Sequence, residues 1–212
     1  MRQCRSIGNQ RRNSDCGGVV KSVELFAGAG GLGMGLSLAG FDPVAVLEWD
    51  RWATDTLREN RDRGFPLLSD WPIHRGDVRD FDYKALVDSV DLVSGGPPCQ
   101  PFSMGGKHRA FDDHRDMFPA AVEVIRQLRP RAFVLENVKG LTRSAFANYL
   151  QYIRFQLERP EIVRRADENW SDHHARLQRE HTSGAAGLTY NVTQTLVNAA
   201  NYGVPQKRER LF

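Results

Sequence analysis

One cysteine of this sequence stands in a setting suited to a nucleophile. Cys99 lies in the segment GGPPCQPFS, with Pro97 and Pro98 before it and Pro101 behind it. Prolines fix φ and restrict the residue that precedes them, so the backbone around the thiol is stiff. The plainer interpretation is a proline-rich turn that contains a buried cysteine. A rigid backbone is useful mainly where the orientation of the thiol matters. We therefore expect Cys99 to act as a nucleophile.

A carboxylate and two arginines are the other candidates for chemistry. Glu136 follows a strand predicted at residues 131–135. The carboxyl ends of neighbouring parallel strands open onto one crevice, which Glu136 would share with the cysteine. Its structural alternative is to cap the next helix. Arg208 and Arg210 stand two apart, which in an extended chain places both guanidinium groups on one face. That face would suit an anion or a carbonyl-rich base.

A glycine-rich turn predicts a cofactor site. The segment FAGAGGLG contains the pattern G-x-G-x-x-G at Gly28, Gly30 and Gly33, directly after a strand predicted at residues 19–26. Glu48 lies 20 residues after Gly28, where a carboxylate can bond ribose hydroxyls. The pattern suits a nicotinamide dinucleotide as well as S-adenosylmethionine, and a glycine turn can also be purely structural.

Two further side chains support a cofactor that contains adenine. Trp49 directly follows the acid of the predicted ribose site, and an indole in that place can stack on adenine. Asp77, in GDVRDF, is placed to accept from the adenine amino group. A core tryptophan and an aspartate that caps a helix over residues 81–87 are the structural alternatives.

The apolar segments between these motifs predict an α/β fold. Strands and helices alternate along the chain, which is typical of a doubly wound parallel sheet. We expect strands at residues 19–26, 44–47, near Ile73, at 90–93, 131–135 and 190–197, and helices over residues 117–128 and 146–157. Residues 158–187 are charged and predict a solvated helix with a loop.

The remaining segments are polar. Residues 1–18 predict a disordered tail, which leaves residues 19–212 as one catalytic domain. Residues 102–116, with the basic tip Lys107, His108 and Arg109, predict a mobile lid that closes over a phosphate backbone, or an ordinary exposed loop. The histidines lack partners at the spacing of metal ligands, so we expect no metal.

Composition limits the classes of protein that remain. Hydrophobic residues make up 41% and charged residues 26% of the 212 positions, which is typical of a soluble globular domain. The net charge is +3, with the basic excess in the second half, and this permits a nucleic-acid partner. No apolar run approaches the ~20 residues of a membrane span. Three cysteines without a paired spacing suit a reducing compartment, so we expect a cytoplasmic protein.

The order of the motifs resembles the cytosine-5 DNA methyltransferase family. The segments FAGAGG, EWD, GDVRD, PPCQPFS, ENVKG and QKRER follow one another as in that family between residues 22 and 212. The resemblance implies the Rossmann-like fold of S-adenosylmethionine-dependent methyltransferases. It also implies DNA methylation, as in restriction–modification systems, by transfer of a methyl group to carbon 5 of a cytosine that is flipped out of double-stranded DNA.

The resemblance assigns roles to single residues. Cys99 would be the nucleophile, Glu136 would hold ring nitrogen 3, and Arg208 and Arg210 would orient the cytosine and the cysteine. The cofactor-binding residues that it implies are Phe26, Gly28, Gly30, Gly31, Glu48, Trp49, Asp77 and Pro97.

The resemblance also implies a target-recognition region after Phe212, and it places the strand that starts at QKRER beside residues 131–135. We therefore expect an incomplete domain, either a fragment or one subunit of a split enzyme whose second polypeptide carries the recognition region. A tRNA cytosine-5 methyltransferase and a regulatory half-enzyme remain as alternatives. The glycine pattern alone would also allow a nicotinamide dehydrogenase.

Overall fold

A five-stranded parallel sheet forms the centre of the computed structural model, which describes residues 19–98, 116–183 and 187–212. Its strands are β1 (Val20–Leu25), β2 (Phe41–Glu48), β3 (Ile73–Arg75), β4 (Leu92–Gly95) and β5 (Ala132–Leu135), in the spatial order β3-β2-β1-β4-β5. Every neighbouring pair is parallel. The order reverses between β1 and β4, where an open parallel sheet offers its ligand crevice. The predicted Rossmann-like fold is confirmed.

Two predictions fall outside the described residues. The predicted polar tail, residues 1–18, is one of them. The other is the segment 99–115, which contains Cys99 and nearly all of the predicted lid.

Five α-helices are present in the described part of the chain. They are α1 (Gly31–Leu38), α2 (Arg51–Asp62), α3 (Phe118–Leu128), α4 (Ala147–Glu158) and α5 (Trp170–Ser183). Local chemistry sets their ends: the carboxylate of Asp50 accepts from the backbone N–H of Ala53 at 2.8 Å and caps α2, as a free helix N-terminus requires. α3 ends where Arg129 takes the left-handed conformation at φ 49°. None of these helices is long and apolar enough to cross a membrane.

Both faces of the parallel sheet are covered. Successive residues of β2 alternate between two apolar clusters, because neighbouring side chains of a strand point to opposite faces. Ala45 and Leu47 pack into the larger cluster, and Val46 packs into the smaller one, which includes Leu57 of α2 and Trp71. α3 closes the larger cluster with a buried stripe that comprises Ala121, Val124, Ile125 and Leu128.

A second, antiparallel sheet adjoins the first one. Its strands are β6 (Asn137–Val138), β7 (Leu196–Asn198) and β8 (Glu209–Leu211), in the order β6-β8-β7. The strand that starts at QKRER therefore pairs with Asn137–Val138, and not with residues 131–135 as expected. The strand predicted at residues 190–197 is also shorter, because it forms only where β8 provides a partner; before it, the ring of Tyr190 packs on Phe133 with centroids 5.1 Å apart.

Two predicted helical segments differ from the structure. Residues 81–87 form only a 3₁₀ turn at Lys84–Leu86, and the hydroxyl of Tyr83 donates to the carbonyl of Val78 at 2.8 Å. α5 is less solvated than its charge suggests, since His173 is buried in it. Nε2 of His173 lies 2.8 Å from the carbonyl of Ile162, and Nδ1 lies 2.8 Å from the hydroxyl of Tyr152.

Candidate active site

The turn between β1 and α1 is held in an uncommon backbone conformation. Phe26 and Gly28 both have positive φ, at 53° and 55°. A bulky aromatic residue in this region is strained, and such strain concentrates at ligand sites. The turn is fixed from two sides: the N–H of Gly28 donates to Oε2 of Glu48 at 2.6 Å, and the N–H of Gly30 donates to the carbonyl of Ala27 at 2.8 Å.

The glycines of the turn serve two different purposes. Gly28 and Gly31 line the cleft, and a Cβ added at either would meet nothing within 4 Å, so these positions leave a cradle open. A Cβ at Gly30 would instead come within 2.7 Å of Leu57, and one at Gly33 within 2.8 Å of Trp71. Gly30, which we predicted to bind the cofactor, is thus required for packing on its other side.

Glu48 ties the end of β2 to the glycine turn. Besides its bond from Gly28, it accepts from the N–H of Asp50 at 2.7 Å on Oε1. Each oxygen of a carboxylate has two acceptor positions, so capacity remains for ribose hydroxyls. Trp49, the next residue, is 68% exposed.

Asp77 lies at the same edge of the sheet. The N–H of Gly76, just before it, donates to the carbonyl of Glu48 at 3.0 Å. The carboxylate of Asp77 is held by Arg79, whose Nη2 donates to Oδ2 at 2.5 Å. This partner lowers the pKa of Asp77 below its ordinary value. The group is therefore an ionised acceptor at neutral pH.

Glu136 is the single residue between β5 and β6. Its N–H donates to the carbonyl of Gly95 at 2.8 Å, and its Oε1 accepts from Nε of Arg210 on β8 at 2.8 Å. About a quarter of each of these two side chains is exposed. Gly96 lies beside this carboxylate, since a Cβ built on it would be 3.4 Å from Oε2.

One cleft of about 610 Å³ joins the glycine turn to this ion pair. Its volume lies in the usual range for small-molecule sites. Of the predicted site residues, it is lined by Phe26, Gly28, Gly31, Glu136, Arg208 and Arg210. Its lining does not include Glu48, Trp49, Asp77 or Pro97, which surround the turn and the end of β4. Apolar side chains of α1, among them Leu32 and Leu36, form part of its wall.

Sequence reasoning missed Asn137. Its side-chain amide donates to the carbonyl of Pro97 at 2.9 Å, and its amide oxygen accepts from the N–H of Val138 at 2.9 Å. The residue is buried. Asn137 thus holds the carbonyl of Pro97, two residues before Cys99, beside the junction of β5 and β6 where Glu136 stands. A polar residue two positions after an apolar strand was the available signal, since a buried amide needs partners.

Glu24 is the second residue that was missed. It lies on β1 and lines the floor of the cleft, although only 2% of it is exposed. The hydroxyl of Ser94 on β4 donates to its Oε2. Burial raises the pKa of Glu24 from 4.5 to about 7. The sequence offered only an acid inside an apolar strand as a sign of it.

Comparison with known proteins identifies the relatives of this chain. Residues 20–160 and 171–212 match the family of C-5 cytosine-specific DNA methylases. The type II methyltransferase M.NgoMIV of Neisseria gonorrhoeae is 38% identical over 191 residues, which are 90% of this chain and 50% of that protein. M.AquIA of Picosynechococcus sp. is 32% identical over 200 residues, which are 91% of this chain and 70% of that protein. The chain thus spans one half to about two thirds of the length of these relatives.

Solved structures agree with the fold. A protein encoded in an Escherichia coli prophage and described as a DNA modification methyltransferase superposes with a TM-score of 0.60 at 25% identity, over 91% of this chain and 45% of that one. DNMT2 of Spodoptera frugiperda superposes with a TM-score of 0.52 at 20% identity, over 91% of this chain and 48% of that one.

Proposed function

Because the chain belongs to the family of C-5 cytosine-specific DNA methylases, we propose that it provides the catalytic core of a DNA (cytosine-5-)-methyltransferase that uses S-adenosylmethionine. The observation that carries this proposal is the single cleft that joins the glycine turn to the Glu136–Arg210 pair. A cofactor held at one end of such a cleft would lie beside a base held at the other. The named bacterial relatives support action in the cytoplasm, close to the nucleoid.

The residues around the turn fit this cofactor. Because no Cβ fills the space at Gly28 and Gly31, the cofactor can come close to the protein backbone there. Phe26 lines the same cleft. Glu48 retains acceptor positions for the ribose hydroxyls, and Trp49 offers an exposed ring for the adenine. When bound, S-adenosylmethionine supplies an electrophilic methyl group on its sulfonium. A nicotinamide cofactor gains no comparable support from the cleft.

The protein side of the chemistry begins with Cys99, which lies outside the described residues. In this proposal its thiolate adds to carbon 6 of cytosine, and the new sulfur–carbon bond makes carbon 5 electron-rich. After carbon 5 has gained its methyl group, its proton leaves to water, and the sulfur–carbon bond breaks to release Cys99. The target base has to be flipped out of the duplex for the thiolate to reach it.

Glu136 and the two arginines stabilise the charge that this addition creates. Charge moves toward ring nitrogen 3, and we assign the Glu136 carboxyl group to that atom of the base. Oε1 of Glu136 is engaged by Arg210, so Oε2, on the side of Gly96, is the oxygen we assign to the base. Arg208 lines the cleft and is assigned to the carbonyl oxygen of cytosine.

We also propose that a further segment, either of a longer form of this chain or of a second polypeptide, completes the sheet and carries the target-recognition region. Within the described residues β5 pairs only with β4. Residues of β5 also line an apolar slot of about 210 Å³, together with Val192 and Phe212. A strand with an unpaired edge that also lines an apolar slot favours the addition of an extended segment.

Covalent trapping tests the proposed chemistry. The chain is combined with a polypeptide that supplies a recognition region and is incubated with S-adenosylmethionine and DNA that contains 5-fluorocytosine, whose fluorine cannot leave as a proton does. We expect a denaturant-resistant adduct with the wild type and with the control variant Cys16→Ser, and no adduct with Cys99→Ser. An adduct that persists in Cys99→Ser would show that another residue is the nucleophile.

Cofactor titration tests the other half of the site without DNA. Calorimetry on the 212-residue chain should show binding of S-adenosylmethionine and none of comparable strength for NAD. Glu48→Ala should weaken that binding by roughly 1–3 kcal/mol, the range for a lost hydrogen bond to a charged group. Tighter binding of NAD would refute the proposed cofactor.

A further inference from the structure

Arg79 holds the carboxylate of Asp77 through three contacts. Its backbone N–H donates to Oδ1 at 2.8 Å, its Nε donates to Oδ1 at 2.9 Å, and its Nη2 donates to Oδ2 at 2.5 Å. The two side chains differ sharply in exposure, at 5% for Asp77 and 57% for Arg79. The arginine therefore lies over the aspartate from the solvent side and fixes its orientation.

The carboxylate of Asp77 keeps one acceptor position beside its contacts with Arg79. An ionised carboxylate offers about two positions on each oxygen and no donor. Arg79 fills both positions on Oδ1 and one on Oδ2. Among the contacts of the described residues, one position on Oδ2 therefore stays open. Without the arginine, the terminal torsion of an aspartate is broad, so the open positions would have no single direction.

The place of this group in the fold indicates what meets it. The backbone before Asp77 is bonded to the end of β2, where Glu48 and Trp49 stand. A ribose on Glu48 and a ring on Trp49 would bring the edge of a purine toward Asp77. At its 6-position adenine carries an amino group, which donates, whereas hypoxanthine carries a keto oxygen, which accepts.

We propose that Arg79 is a positioning residue that directs the open acceptor of Asp77 at the 6-amino group of the purine and so makes the site selective for adenine over a 6-keto purine. This inference rests on the proposed S-adenosylmethionine site. A keto oxygen facing the fixed carboxylate would place two acceptors against each other, and a site that leaves a buried acceptor unpaired rejects such an analogue strongly.

Calorimetry with two matched probes tests the inference on the 212-residue chain. The probes are S-adenosylhomocysteine and S-inosylhomocysteine, which differ at the 6-position of the purine. We expect the wild type to prefer the adenine probe by about tenfold to a hundredfold, as for a hydrogen bond to a charged group. Arg79→Met should reduce the preference to within about threefold, chiefly by weaker binding of the adenine probe. Arg79→Lys, which keeps the charge without the fork, should fall between them.

Arg126→Met is the matched control. Arg126 grips Glu123 on α3 with Nε at 3.1 Å and Nη2 at 2.6 Å, and neither residue lines the cleft. This variant loses an arginine–carboxylate pair elsewhere and should keep the wild-type preference. Circular dichroism checks that each variant is folded. If Arg79→Met is not folded, the preference of Arg79→Lys for the adenine probe tests the inference in its place.

The outcomes separate the inference from the proposed function. A folded wild type that binds neither probe would refute the proposed cofactor site and the inference with it. A wild type that prefers adenine, together with an Arg79→Met variant of equal preference, would overturn the role of Arg79 alone. Tighter binding of the adenine probe to Arg79→Met would also overturn it, since Arg79 would then compete with the ligand.

Discussion

Glu24 should make the stability of this protein fall as the pH rises. Its folded-state pKa, raised by burial to about 7, lies above the ordinary value of 4.5. A folded state that binds the proton more tightly gains stability that is complete below pH 4.5 and is lost as the pH passes through 7. The interval from 4.5 to about 7 corresponds to roughly 3 kcal/mol of unfolding free energy at alkaline pH.

The substitution Glu24→Gln removes the titration and keeps an oxygen that can accept from Ser94. Urea unfolding at pH 5, 7 and 9 should therefore show a variant that gains on the wild type as the pH rises, by roughly 3 kcal/mol across the range. Taking the difference between the two proteins cancels the other titrating groups, which they share.

Glu59→Gln is the control, because the side chain of Glu59 is 62% exposed on α2. Its difference from the wild type should stay nearly constant with pH. Parallel pH profiles of wild type and Glu24→Gln would refute the argument, since they would mean that burial does not hold the proton on Glu24.

Three further substitutions test other parts of the structure. Gly95→Ala would place a Cβ 2.5 Å from the carbonyl oxygen of Leu25, so the strands must shift and the unfolding free energy in urea should fall by about 1–3 kcal/mol. Asn137→Ala leaves the carbonyl of Pro97 unpaired, which should lower stability by roughly 1–3 kcal/mol and slow methyl transfer in a complete enzyme, while calorimetry shows unchanged cofactor affinity. Burial lowers the pKa of His174, whose Nε2 has no hydrogen-bond partner in the described structure. The stability of the fold is therefore lost as the pH falls below 6.5. The substitution His174→Phe should reduce this loss, measured by thermal unfolding at about pH 7.5 and about pH 5.5.

The sequence predicted much of the parallel sheet because several of its strands are short apolar runs, of which β2 ends in Glu48 and β4 ends in Gly95. The end of β2 at Glu48 and the start of α3 lie within one residue of their predicted places. Strands of the antiparallel sheet were harder to predict, since β6 and β7 form only where β8 meets them. Their lengths depend on a partner that lies far away in the chain.

At the candidate site, the motifs named six residues that line one cleft, and they did not show how these residues are held. The approach of Glu136 and Arg210 to 2.8 Å depends on the pairing of β6 with β8, which spans 74 positions of sequence from Glu136 to Arg210. The ion pair between Arg79 and Asp77 depends on side-chain conformations inside a turn. Hydrophobic periodicity carries no information on these conformations. Phe26 also gave no warning of its positive φ, since the tertiary structure imposes it. The roles of these residues in catalysis and cofactor binding stay predictions.

The position of Glu136 between two sheets has a thermodynamic consequence. The parallel sheet carries the glycine turn, and the antiparallel sheet carries Arg210. Glu136 is the one residue that connects β5 of the first sheet to β6 of the second, and its ion pair with Arg210 at 2.8 Å links the two sheets. A ligand that binds best at one separation of the two sheets changes the free energy of this ion pair. It thereby changes the binding free energy of a ligand on the other side of the pair. If S-adenosylmethionine and cytosine bind as proposed, reciprocity then requires that each alters the affinity of the other by the same factor. The two halves of the cleft would in that case be energetically coupled, and measuring either affinity in the presence of the other ligand would give the size of that coupling.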